Sequence, residues 1–80
     1  MDSKKKDLLK VIDQLDQENP TLMGKIPVTT MIAPKLSGVL DIAELGMAIK
    51  DLDKCGYLQI SGDNALGSVS ITDKGRREKS

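Results

Sequence analysis

At 80 residues the chain is long enough for one domain and one core. Aromatic content is 1%, from Tyr57 alone, so the core must be built from Leu, Ile, Val, Met and Ala. Lys+Arg 12 balance Asp+Glu 12, which removes a global basic field and confines any attraction to a polyanion to local patches. Cys55 is the only cysteine and there is no histidine. An internal disulfide is therefore impossible and no transition-metal set is available. No cofactor is expected. A lone thiol and the lack of a long apolar run point to a soluble, cytoplasmic protein outside the membrane.

The first predicted element is a helix from Lys4 to Glu18, where Leu8, Val11, Ile12 and Leu15 recur at helical spacing. Asp2 or Ser3 can cap it, and Asn19-Pro20 ends it. Leu9 lies at the edge of the apolar stripe. Gly24 and Pro27 then break the chain, with a short extended piece near Ile26 and Val28. A second helix is predicted over about Met31 to Leu36, with Pro34 in its first turn, where the missing N–H costs nothing. Ser37-Gly38 closes it.

The third helix carries the clearest signals. Asp41 is a good N-cap and Glu44 completes a capping box, while Leu40 and Leu45 are spaced as a hydrophobic staple. Ile42, Leu45, Ile49 and Leu52 share one face and are expected to point inward. Gly56 suits a left-handed C-cap, with Tyr57 folding back toward Leu52.

Beyond it the hydrophobic period becomes two. Leu58 and Ile60 alternate with Gln59 and Ser61, and Val69 and Ile71 with Ser68, Ser70 and Thr72. The intervening Gly62 to Gly67, which includes Asp63, Asn64 and Leu66, is rich in turn residues. The pair reads as a two-stranded hairpin. Thr72 or Asp73 can cap a last turn over Lys74 to Lys79. The whole is an α+β domain spanning 1–80, with 1–3 and 76–80 expected to be loose termini.

Helix, extended piece, helix, capped helix and hairpin is the order of a winged helix-turn-helix. The stretch Ala48 to Leu58, ending in Cys55-Gly56-Tyr57-Leu58, resembles the end of the recognition helix in bacterial MarR-like and PadR-like regulators. Ile71-Thr72-Asp73-Lys74-Gly75-Arg76 is similar to the segment that leaves the wing in those families. The resemblance implies a winged helix and a small transcriptional regulator that binds double-stranded DNA. Those regulators continue into a C-terminal dimerisation helix. With the sequence ending at Ser80, a monomer or a weak homodimer through helix 1 is expected, with Leu9 at the contact.

Enzymatic chemistry finds no support: the chain has no histidine base, no glycine-rich phosphate loop and no nucleophile motif. Asp51 and Asp53 are two residues apart and do not share a helix face. Cys55, at the negative end of a helix dipole, is expected to be unreactive.

For DNA, the outward face of helix 3 centres on Ala43, Met47, Lys50 and Lys54. Glu44 and Asp51 flank it and would oppose phosphate. From Tyr57 to Asp73 the hairpin region holds no lysine or arginine. The other cations lie at the ends: Lys4, Lys5, Lys6 and Lys10, then Lys74, Arg76, Arg77 and Lys79. The candidate nucleic-acid residues are thus Lys35, Met47, Lys50, Lys54, Arg76 and Arg77, acting mainly on phosphates. The alternative is a protein-interaction module using Met47 on helix 3 and Leu66 at the wing tip.

Overall fold

A computed structural model describes residues 3–62 and 64–78. The capping role expected of Asp2, the turn position of Asp63 and the charge of Lys79 fall outside the described residues. Helix α1 (Ser3–Glu18) leads through a single 3-10 turn to strand β1 (Ile26–Pro27). A wide helical turn over Val28–Ile32 runs into the short helix α2 (Ala33–Lys35). Then follow α3 (Ile42–Lys54), β2 (Leu58–Ser61), β3 (Ser68–Ile71) and α4 (Asp73–Glu78).

The sheet has three antiparallel strands in the order β1-β3-β2, not two as expected. Ile26 pairs with Val69 and Pro27 with Ser68, and the Val28 N–H donates to the Gly67 carbonyl at 2.9 Å. The extended piece between the first helices is therefore a strand. It needs the hairpin to satisfy its backbone, and no local pattern announces a partner so distant in the chain.

Helical winding in the second region begins at Val28, earlier than the expected Met31. The Ala33 N–H donates to the Val28 carbonyl, five residues back, and Pro34 lies in the first turn of α2. Pro34 thus follows a loosened turn that asks no N–H of it.

The core joins Leu8, Ile12 and Leu15 of α1 to Ile32, Leu45, Ile49 and Leu52, and closes on Ile26, Leu58 and Val69 of the sheet. Two expectations about facing are corrected. Leu9 is fully buried, while Val11 is only half-buried, so Leu9 belongs to the core and cannot serve as a contact between copies. Both β3 and α4 pack on α1, with Arg76 of α4 pairing with Asp13 and Asp16, so the covered face of the helix is wider than the apolar stripe alone.

Ile42 was expected inward but is 49% exposed. As the first helical residue its side chain leans back beyond the helix end, and the buried Leu40 fills that layer instead.

Candidate nucleic-acid interface

Local chemistry fixes α3 at both ends. Asp41 is in an extended conformation and its Oδ1 accepts the Glu44 N–H at 2.8 Å, while Glu44 Oε1 accepts the Asp41 N–H at 3.2 Å. The box satisfies two backbone donors that the first turn cannot pair internally. At the other end Gly56 adopts φ +82°, with the Tyr57 N–H bonded to the Leu52 carbonyl at 2.9 Å and the Gly56 N–H to the Asp53 carbonyl at 3.1 Å. That double return is the Schellman pattern, and the positive φ selects glycine.

With both ends pinned and Leu45, Ala48, Ile49 and Leu52 buried, α3 turns Ala43, Met47, Lys50 and Lys54 outward. Met47 is 68% exposed. Met47, Lys50 and Lys54 border one depression on this face. Of the carboxylates near them, Glu44 and Asp51 have partners on α1, while Asp53, which borders the same depression, accepts the Ile60 N–H at 3.4 Å. Lys4 Nζ stands 3.6 Å from Glu44 Oε2 and Lys5 Nζ 3.4 Å from Asp51 Oδ2. Among the described residues, neither Lys50 nor Lys54 has an ion-pair partner. The Glu44 and Asp51 part of the negative flank is thus offset from α1, and Lys50 and Lys54 remain for a ligand beside Asp53.

A second groove, of about 350 Å³, adjoins the first. Ile42, Ala43 and Met47 line one side and Leu66 the other, with Gly46 between them. Leu66 was expected at an exposed wing tip. It is half-buried because a Cβ placed on Gly46 would already touch its side chain at 3.6 Å, so the missing side chain gives the leucine room to lie on the helix. Ala65 beside it is buried. Ile42, Gly46 and Leu66 are therefore parts of this face that periodicity alone did not single out. The Gly46-to-Leu66 fit depends on a turn whose path the sequence leaves open.

The remaining candidates lie elsewhere. Lys35 is exposed at the end of α2 and borders neither groove. Arg77 is exposed on α4. Arg76 is turned onto α1, with Nε 3.2 Å from Asp13 Oδ1 and Nη2 2.6 Å from Asp16 Oδ2, and with Nη1 3.9 Å from Asp73 Oδ1. Residues 76–78, expected to be loose, are the second half of α4.

The segment from Thr72 to Arg76 works as a clasp. Thr72 Oγ1 donates to the Gly56 and Tyr57 carbonyls, at 2.6 and 3.0 Å, and accepts the Gly75 N–H at 3.1 Å. One hydroxyl holds one proton, so the two carbonyls share it. Lys74 Nζ bonds the Cys55 carbonyl at 2.8 Å and stands 4.8 Å from the centre of the Tyr57 ring. A cation there caps the negative end of α3. Gly75 has no room for a side chain, since a Cβ would overlap the Tyr57 carbonyl.

Cys55 takes part through its backbone, and its side chain is exposed. Among the described residues no group of acidic, cysteine or histidine side chains is placed to hold a metal, and no helix is long and apolar enough to cross a membrane.

No family model matches the chain, and neither the curated proteins nor the solved structures include one detectably similar to it.

Proposed function

We propose that this chain is a winged-helix domain that binds double-stranded DNA, as a small transcriptional regulator or an accessory to one. In this reading α3 enters the major groove and the hairpin lies beside it as the wing. The observation that carries the proposal is the lysine pair on α3. Lys50 and Lys54 are exposed and free of carboxylate partners among the described residues, whereas Glu44 and Asp51 beside them are engaged by Lys4 and Lys5. The order of elements and the capped third helix also support it.

Because arginine, asparagine and glutamine are absent from the outward face of α3, affinity should rest mainly on phosphate contacts. Such binding is weak, depends steeply on salt and contributes a slope of about 0.9 in log K per neutralised phosphate. Titration of a labelled random duplex at several salt concentrations tests this. Lys50→Ala with Lys54→Ala should weaken binding nearly equally for every sequence and reduce the slope by about two. Absence of binding by the wild-type chain at low salt rejects the proposal.

A second reading, docking of a protein on the same face, is favoured by the exposure of Val39, Ile42 and Met47 around the start of α3.

A further inference from the structure

Helix-turn-helix proteins read base edges chiefly with the N-terminal half of the recognition helix. In this chain that half offers no hydrogen-bonding fork. Ile42 and Ala43 stand at its start and Met47 one turn further on, facing Leu66 across Gly46. The polar groups beside them are Lys50 and, from the hairpin loop, Asn64, whose Oδ1 already accepts the Leu66 N–H at 2.9 Å.

A surface of this kind cannot read the donor and acceptor code of the major groove. It can match one feature there, the C5-methyl group that thymine projects from the pyrimidine edge. 5-Methylcytosine carries a methyl at the same ring position. Lys50 is the charged residue on this groove and has no ion-pair partner among the described residues, which suits a polyanion better than an apolar peptide alone. On the adjoining depression Lys54 stands beside Asp51, which is paired with Lys5, and Asp53, which accepts the Ile60 N–H.

Resting on the DNA-binding reading above, we propose that the groove of Ile42, Ala43, Met47 and Leu66 receives the C5-methyl groups of major-groove pyrimidines. It gives the domain a preference for methyl-bearing steps on top of its phosphate contacts. Lys50 and Lys54 hold the backbone, and the groove removes the methyl from water. Burying one such carbon is worth about a fourfold change in affinity.

The test uses the full chain and fluorescence anisotropy at low salt, on one duplex sequence in three forms. The first contains thymine. The second carries deoxyuridine at every thymine position, which deletes the methyl and keeps each base-pair hydrogen bond. The third is the deoxyuridine duplex with its cytosines methylated at C5. The thymine duplex should bind about fourfold tighter than the deoxyuridine duplex for each methyl engaged. Recovery of affinity in the third form assigns 5-methylcytosine as an accepted source of the methyl. No recovery, with the thymine preference intact, assigns thymine alone.

Met47→Gln, at an exposed position, should abolish the ratio between thymine and deoxyuridine while leaving the salt slope unchanged. Circular dichroism checks that its fold is retained. Equal affinity for thymine and deoxyuridine duplexes overturns the methyl-reading inference and leaves phosphate-driven binding standing. A ratio that survives Met47→Gln and Ala43→Ser also overturns it, because the contact then lies off this groove. If no duplex binds, both readings fall and the groove passes to a protein partner.

Discussion

Arg76 and Asp13 form the contact that ties the end of the chain to its beginning. The guanidinium Nε lies 3.2 Å from an Asp13 side chain that is 2% exposed, and Gln17 Nε2 donates to the other carboxylate oxygen at 3.0 Å. The arginine side chain is 46% exposed, so solvent screens its half of the pair. The cost of breaking the contact therefore falls on the carboxylate left under α4. Arg76→Ala should lower stability by about 1–3 kcal/mol in urea unfolding. Combining it with Asp13→Asn should cost less than the sum of the two single changes. Strict additivity would mean that the two side chains do not interact.

The same placement separates Arg76 from the proposed interface. Arg76→Ala should leave the salt slope of DNA binding unaltered at temperatures where the variant is folded, in contrast with the lysine pair on α3. A slope reduced by about one would return Arg76 to the phosphate contacts.

Gly75 gives a sharper stability test. Alanine there must displace either the Tyr57 carbonyl or α4, and overpacking of this kind costs about 1–3 kcal/mol. Gly38 is the control, because a Cβ on it meets nothing within 4 Å. Gly38→Ala should stay within about 0.5 kcal/mol of wild type. Thermal melts of the two variants side by side decide the matter, and equal midpoints would refute the tight approach.

Leu9→Glu should unfold the domain and not merely alter self-association, since it buries a carboxylate in a fully covered site. Far-ultraviolet circular dichroism reads this directly. A folded Leu9→Glu protein would show that α1 does not pack as described.

At α3, Asp41→Ala should cost about 0.5–2 kcal/mol through the lost cap, and Leu52→Ala about 2–5 kcal/mol through the cavity it leaves. Denaturant midpoints should rank them in that order.

What the sequence disclosed follows the range of the interactions involved. The box of Asp41 and Glu44 and the left-handed Gly56 are decided by neighbours within a turn, so residue types at fixed spacing were enough to place both ends of α3. The alternation at Leu58, Val69 and Ile71 was likewise enough to find the hairpin. Ile26 was legible as extended backbone, yet its pairing with Val69 was not, because the partner lies far along the chain and Pro27 gives a breaker signal.

The outward face was legible where it depends on helical phase alone, as for Met47, Lys50 and Lys54. Ile42 escaped because a helix's first residue does not follow that phase into the core. Arg76 read as part of a solvated basic tail because its acidic partners, Asp13 and Asp16, sit on the first helix. A cluster of charges carries no mark of which member will be held by a distant partner.

The clasp from Thr72 to Arg76 bears on how the protein is made. Synthesis delivers α1 first and the clasp after every element it binds, while β3, the central strand of the sheet, emerges only shortly before it. Until those residues leave the ribosome, β1 has no hydrogen-bonding neighbour, the α3 carbonyls lack their lysine, and Asp13 has no guanidinium. The α1 residues Leu8 and Ile12 have core partners in Ile32, Leu45, Ile49 and Leu52 before that, but the sheet side of the core and the contacts of the clasp form only once β3 and α4 have been made.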